Sequence, residues 1–332
     1  MAEIFEISKI SESFESFEIS TCSLSSGSSG NSVYIGCGGT NILIDAGRTA
    51  KAMTELLAAI NLKITDINAI FITHEHIDHV SALKVLISRY KIPVYMVWES
   101  FDNLSDDYKS ALGEVINFIT PKESVKIGSL QIECYPTPHD SRASVGYIIR
   151  HNGEKSKKAV GIATDVGHMT KEIIEAMCGC KVIYIESNHD PEKLKNSSYP
   201  EQVKQRIKSK VGHLSNKECA ETLPYLIKNG ARKIILYHLS GENNTKELAV
   251  KESRRTILDA RLNVGTVYLG VAPKSLPSKM ISLNMMTTES EKKILNPLNP
   301  NAEKKILLAN KPKIKPKHQD IPEIDITNAA EG

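Results

Sequence analysis

His74, His76, Asp78 and His79 fall within six residues, in the run Thr73-His74-Glu75-His76-Ile77-Asp78-His79. The order is H-x-H-x-D-H. Imidazole and carboxylate are ligands suited to Zn²⁺, Mn²⁺ or Fe. Four such groups exceed what one catalytic ion takes from a protein, so the crowding points to two adjacent ions. A polar surface turn rich in histidine is the alternative. It fits poorly, because the apolar run Ala69-Ile70-Phe71-Ile72 comes first and reads as a buried strand. An extended end of that strand puts His74, His76 and Asp78 on one side. His79 then sits where a helix over Val80–Ser88 begins.

Two ions need further ligands and an anion between them. Strand ends would hold such groups rigidly. His139 follows the apolar run Leu130–Tyr135, in Pro136-Thr137-Pro138-His139-Asp140-Ser141. Asp165 ends Gly161-Ile162-Ala163-Thr164-Asp165, and His238 ends Ile234-Ile235-Leu236-Tyr237-His238. Each alone has an ordinary reading: a loop histidine, the cap of a helix near Thr170, a hydrogen-bonded core histidine.

The elements that position these residues follow from periodicity. Strands are expected at Val33–Ile35, Asn41–Ile44, Ala69–Ile72, Val94–Val97, Val115–Ile119, Leu130–Tyr135, Gly146–Ile149, Val160–Ala163, Val182–Ile185, Ile234–Tyr237 and Val267–Leu269. Helices are expected at Thr49–Ile60, Val80–Ser88, Thr170–Met177, Pro200–Lys210, Asn216–Lys228 and Lys246–Ala260. Gly38-Gly39 signals a hairpin. Hairpins dominate the first half, yet helices recur between strands. This suits two facing mixed sheets with helices outside. A doubly wound parallel sheet is the alternative, but it would alternate strand and helix more strictly. Met1–Ser20 is rich in Glu, Ser and Phe and reads as an acidic extension, either a tail or an edge strand. Ala272–Gly332 collects prolines among Lys, Asn and Ser and reads as mainly disordered.

Composition bounds the rest. The 332 residues are 41% hydrophobic, enough for a sizeable core, but only 5% aromatic, so Ile, Leu and Val must fill it. A formal charge of +3 does not announce a nucleic-acid binder, and any basic footprint must be local. No stretch approaches the ~20 apolar residues of a membrane span, and no signal peptide is expected at the start. The six cysteines form no disulfide framework. A reduced, cytoplasmic setting is therefore expected.

His139, Asp165 and His238 follow the opening cluster in order, each at a strand end. In this the chain resembles the metallo-β-lactamase fold superfamily. The resemblance implies an αββα sandwich with two divalent metal ions, Zn or Mn, at one edge of the sheets. It implies that His74, His76 and His139 hold one ion and that Asp78, His79 and His238 hold the other, with Asp165 bridging. Histidine at 76 and aspartate at 165 favour hydrolysis of phosphodiesters or thioesters. Narrower motifs are Leu24–Ser32, Glu186-Ser187-Asn188-His189-Asp190, Gly212-His213-Leu214-Ser215-Asn216, and His238-Leu239-Ser240 with Glu242-Asn243-Asn244. These look like the YycJ/VicX/WalJ-type branch over roughly residues 21–270. Its members are regarded as cytosolic nucleases that digest DNA from the 5′ end.

The implied chemistry is in-line attack on phosphorus by a hydroxide shared between two cations about 3.5–4 Å apart. Asp78 would orient it. His213 is the candidate proton donor to the leaving oxygen. Ser215 and Glu218 read as a capping box opening the helix at Asn216, so His213 sits just before a helix N-terminus, where phosphate is favoured. Glu186 or His189 would orient His213. Ser215 and Asn216 are candidate substrate contacts, as are Lys204 and Lys208 on a basic stripe with Arg206 and Lys210. An ordinary solvated helix explains that stripe equally well. Gly27, Gly30 and Asn31 would line the rim with backbone amides, or simply form a tight loop. A metal-dependent DNA exonuclease is the leading expectation, with DNA ahead of RNA as partner. A thioesterase or lactonase on the same scaffold and a non-catalytic interaction protein are the alternatives.

Overall fold

The computed structural model describes residues 18–153 and 158–284. Residues 1–17 of the expected acidic extension and 285–332 of the expected tail, His318 among them, lie outside the described residues. In chain order the strands are β1 (Glu18–Ser25), β2 (Ser32–Cys37), β3 (Thr40–Ile44), β4 (Ala69–Phe71), β5 (Val94–Met96), β6 (Ile116–Phe118) and β7 (Ser124–Ile127). They continue with β8 (Leu130–Thr137), β9 (Ser144–His151), β10 (Lys158–Ala163), β11 (Val182–Glu186), β12 (Lys233–Tyr237), β13 (Tyr268–Val271) and β14 (Ile281–Asn284). One sheet has the order β14-β1-β2-β3-β4-β5-β6, the other β13-β12-β11-β10-β9-β8-β7. Each sheet is antiparallel at one end and parallel at the other. The parallel runs are β3-β4-β5-β6 and β10-β11-β12-β13.

Period-two burial accounts for the layering. Val33, Ile35, Ile42, Ile44 and Phe71 of the first sheet share one apolar cluster with Ile132, Tyr147, Ile149, Val160, Tyr184 and Tyr237 of the second. Hydrogen bonds cross this interface: Tyr237 Oη donates to Ser25 O at 2.7 Å and Tyr147 Oη to Ile72 O at 2.6 Å. The outer faces carry helices. Those after the first sheet's strands are α1 (Ala50–Ala58), α2 (Ile77–Val80), α3 (Leu83–Tyr90), α4 (Trp98–Asp102) and α5 (Asp106–Leu112). The second sheet contributes α6 (Lys171–Met177), α7 (Pro191–Lys195), α8 (Glu201–Ile207), α9 (Asn216–Lys228) and α10 (Lys246–Asp259). Met53, Leu57, Leu83 and Leu86 seal one outer face, and Ile173, Leu223, Leu226 and Ile257 the other. The architecture is the expected αββα sandwich, not a doubly wound sheet.

Three departures from the expected elements have physical causes. The helix expected over Val80–Ser88 is instead two, α2 and α3. Ala82 N–H would continue the first helix by bonding Asp78 O. That carbonyl accepts from Asn31 N–H at 2.8 Å, while Ala82 N–H donates to Ala46 O at 2.9 Å. The loop before β2 and the turn after β3 thus interrupt the ladder and pin α2. Second, β1 begins at Glu18, inside the expected extension, and lies within the sheet rather than at its edge. Third, β14 falls within the expected tail and pairs antiparallel with β1, Glu18 opposite Asn284. It covers backbone groups that β1 would otherwise leave unpaired, and Ile281 joins the core between the sheets.

Candidate metal centre

The C-terminal ends of the parallel strands converge on one edge of the sandwich. β4 ends at Phe71 and the chain leaves it through His74 and His76 into α2, which carries Asp78 and His79. β8, β10 and β12 of the other sheet deliver His139, Asp165 and His238 just past their ends. Ligand atoms of His74, His76 and His139 lie within 4.8 Å of one another, as do those of Asp78, His79 and His238. The two trios expected to hold one ion each are therefore assembled. Asp165 lies between them. Its Oδ2 is 3.2 Å from His79 Nε2, and its Oδ1 is 3.5 Å from His238 Nε2 and 3.9 Å from His139 Nε2.

Four of the rings share an arrangement that fits metal ligation. Nδ1 of His74 meets Thr73 Oγ1 at 3.0 Å, and Nδ1 of His79 meets Asp45 Oδ2 at 2.7 Å. Nδ1 of His139 faces Gly212 O at 3.2 Å, and Nδ1 of His238 faces Glu186 Oε1 at 2.9 Å. An outer oxygen on one nitrogen fixes ring orientation and leaves the other nitrogen for a cation. The Nε2 atoms of His74 and His238 are buried with no hydrogen-bond partner among the described residues. Leaving such an atom unsatisfied costs about 1–3 kcal/mol, and a divalent cation in each trio would satisfy the atom there. Burial, followed by the nearby charge of His79, holds His74 well below the usual histidine range, so its lone pair is free. The donor set of nitrogen and carboxylate oxygen suits Zn²⁺ or Mn²⁺.

Asp45 is a site residue that the sequence reading passed over. It is buried, holds His79 and accepts Thr73 N–H at 2.8 Å. A signal was present: an acid directly after the strand Asn41–Ile44, the pattern that singled out Asp165. Asp45, Asp165 and His238 also share left-handed backbone, with φ of 64°, 53° and 54°. Such strain outside glycine concentrates at functional sites. Gly47 completes the clamp, since a Cβ there would meet Asp78 O at 1.6 Å.

Glu186, at the end of β11, is buried and ties the proton-donor candidate to the ligands. Its Oε1 accepts from His213 Nδ1 at 2.8 Å and His238 Nδ1 at 2.9 Å, and its Oε2 from Val166 N–H at 2.7 Å. Burial alone would raise its pKa. The charge and hydrogen bond of His213, with the hydrogen bond of His238, outweigh this and hold it at about 2. His213 is half-buried; desolvation disfavours its charged form, but Glu186 raises its pKa above the ordinary value. Its ring stacks on His238 with centroids 5.3 Å apart. His189 does not share this role. Its backbone carbonyl accepts from Asn216 N–H at 2.8 Å, its buried Nδ1 has no partner among the described residues, and burial lowers its pKa to about 4.

The expected substrate contacts divide. Asn31 is buried and its amide donates to Asp78 Oδ2 at 3.2 Å, so it supports the ligand cluster from within. Ser215 is the N-cap of α9, in a reciprocal box with Glu218. Asn216 is buried, bonded to Asn244 at 2.9 Å and Ser187 at 2.7 Å, which engages its amide internally. On the basic stripe, Lys204 Nζ donates to Lys195 O at 2.9 Å and Arg206 pairs with Asp140, whose other oxygen lies 3.3 Å from His139 Nε2. Lys208 and Lys210 are exposed, and His168 meets Lys210 O at 2.9 Å.

The family model for the beta-lactamase superfamily domain matches residues 40–239, which span β3 through His238. The chain belongs to the beta-lactamase superfamily. Within that superfamily it belongs to the YycJ/WalJ branch. It is 32% identical over 247 residues to exodeoxyribonuclease YycJ of Bacillus anthracis, covering 72% of this chain and 89% of the relative. It is 37% identical over 242 residues to exodeoxyribonuclease WalJ of Streptococcus pneumoniae, covering 72% and 88%. Among solved structures of the superfamily fold, YhfI from Bacillus subtilis matches with a TM-score of 0.57 at 15% identity, over 79% of this chain and 98% of that one. The short form of human tRNase Z matches with 0.54 at 16% identity, over 81% and 100%. Family and ligand geometry together make this beta-lactamase superfamily member a metal-dependent hydrolase. Among the described residues, no helix is long and apolar enough to cross a membrane.

Proposed function

We propose that the chain is a two-metal phosphodiesterase acting on DNA, removing nucleotides from the 5′ end. The observation that carries this reading is His213, held through Nδ1 by buried Glu186 within a ring's breadth of the ligand His238. A thioester's leaving thiolate needs no such donor, whereas a leaving alkoxide does. The names of the YycJ and WalJ relatives support DNA as the substrate.

His74, His76 and His139 would hold one ion, Asp78, His79 and His238 the other, with Asp165 shared. When bound, the two ions would supply Lewis acidity and lower the pKa of a water between them. The remaining chemistry belongs to side chains. Asp78, steered by Asn31, orients the attacking water. Glu186 keeps His213 charged, so that Nε2–H faces the leaving oxygen and gives up its proton there. Exposed Lys208 and Lys210 meet phosphates upstream by charge alone, with no base specificity.

The test is digestion of DNA and RNA labelled at either end, with Mn²⁺ or Zn²⁺ supplied. Label should leave the 5′ end of DNA first, and EDTA should stop it. Hydrolysis of a thioester such as S-lactoylglutathione, with no cleavage of any nucleic acid, would sink the reading.

A further inference from the structure

Trp98, Phe101 and Phe118 form a cluster of rings on the surface beside the metal centre. Trp98 is the single tryptophan of the chain. It is 53% exposed and Phe118 47%. Their centroids lie 5.0 Å apart, and Phe101 is 5.7 Å from Trp98 and 5.4 Å from Phe118. A lone exposed ring is ordinary on a protein surface. Three in mutual contact, two of them half open to water, mark a binding surface.

Its position is fixed by the sheet. β4, β5 and β6 are parallel, so their C-terminal ends share the edge from which His74–His79 depart. Phe71 is opposite Tyr95 and Met96 opposite Phe118, which sets Phe118 level with Ile72. Two strand spacings separate them, ~10 Å. Glu75, between His74 and His76, makes the link rigid. Its Oε1 accepts from Asn103 Nδ2 at the end of α4 at 2.9 Å and from Arg142 N–H at 2.7 Å. Ser100 Oγ donates to Ala143 O. The helix carrying Trp98 and the loop carrying His139 and Arg142 are thus fastened to one carboxylate inside the metal motif. Arg142 is exposed and makes no ion pair among the described residues.

We infer that Trp98, Phe101 and Phe118 are a stacking platform for an unpaired nucleobase of the substrate strand, with Arg142 meeting a phosphate on the way to the metal centre. This rests on the nuclease reading above. Every base offers a π-face to aromatic rings, so the contact is sequence-tolerant and asks for an unpaired end. A stacked strand advances ~3.4 Å per nucleotide, so the ~10 Å from β6 to β4 is about three nucleotides along the edge that carries the metal centre. The exposed cation of Arg142, whose backbone shares Glu75 with Asn103 at the end of α4, matches a phosphodiester strand better than an apolar protein face.

Trp98 reports its own occupancy. The metal-loaded full chain is titrated with a short thymidine oligomer carrying hydrolysis-resistant phosphorothioate linkages, and with an abasic oligomer of equal length. Tryptophan fluorescence should be quenched by the thymidine oligomer, and the abasic one should bind more weakly. Trp98→Ala and Phe118→Ala should each weaken thymidine-oligomer binding by about tenfold and leave abasic binding as it was. Trp98→Phe should recover most of the loss, with circular dichroism confirming that all variants fold. Wild-type protein that digests DNA while these variants bind both oligomers as it does overturns this inference alone. Wild-type protein that neither binds nor cleaves any nucleic acid overturns it together with the nuclease reading. A dimer dissolved by Trp98→Ala, with DNA binding unchanged, would give the rings to a second copy of the chain and overturn it as well.

Discussion

The two sheets contribute to the metal centre in different ways. The first supplies His74, His76, Asp78 and His79 from one strand-to-helix junction. The second supplies His139, Asp165, Glu186, His213 and His238 from separate strand ends and a helix entry, spread over a hundred residues of chain. Local geometry fixes the first set once α2 is pinned. Only the pairing of β8 to β12 brings the second set together. Each ligand trio nevertheless takes members from both sheets. In the proposed arrangement neither trio is complete from one sheet, so bound metal would tie the two layers at their common edge.

The largest effect should come from the residue that serves both trios. Asp165→Ala should reduce phosphodiester hydrolysis by about 10³-fold and bring bound metal, counted by elemental analysis, well below the wild-type content. Wild-type metal content in that variant would break the account of Asp165 as shared. His213→Ala removes a second-sheet group that holds no ion in this account. It should lower kcat by about 10²-fold with metal content unchanged. The loss should be smaller for substrates with acidic leaving groups, such as bis(p-nitrophenyl) phosphate, which need no proton. Equal losses on both substrates would show that His213 is not the donor.

On the first sheet, Asp45→Asn leaves every ligand in place and weakens the hold on His79 and Thr73. It should cost about 10–100-fold in metal affinity, read by competition with a chelating dye, and activity should return at high metal. The smallest effect concerns acid stability. Glu186 titrates at about 2 in the folded chain, below its ordinary value of 4.5. A depressed carboxylate stabilises the fold above its unfolded pKa and loses that contribution as pH falls through the folded value. The chelated wild type should therefore lose melting temperature from about pH 4.5 down to about pH 2. Glu186→Gln should follow a flatter course.

The same contrast explains what the sequence disclosed. The H-x-H-x-D-H run is legible because its spacing is local. His139, Asp165 and His238 were legible because each follows a long apolar run. Asp45 follows such a run too, but its partner His79 lies 34 residues on, and nothing local joins them. The break between α2 and α3 depends on hydrogen bonds from Asn31 and to Ala46, which periodicity does not report. Strand β14 has only four residues and no pattern of its own; its place comes from the open edge of β1. Asn216 shows the same limit. Its position at the start of a helix suggests phosphate, while Asn244 and Ser187, distant in sequence, bond its amide.

The central claim is that both halves of the site must be filled for water to attack phosphorus. Metal-free protein titrated with Mn²⁺ or Zn²⁺, with hydrolysis of bis(p-nitrophenyl) phosphate followed at each addition, tests it directly. The account expects little activity at the first equivalent and a rise to a plateau at the second. Full activity at one bound ion, or no hydrolysis with both bound, would contradict it.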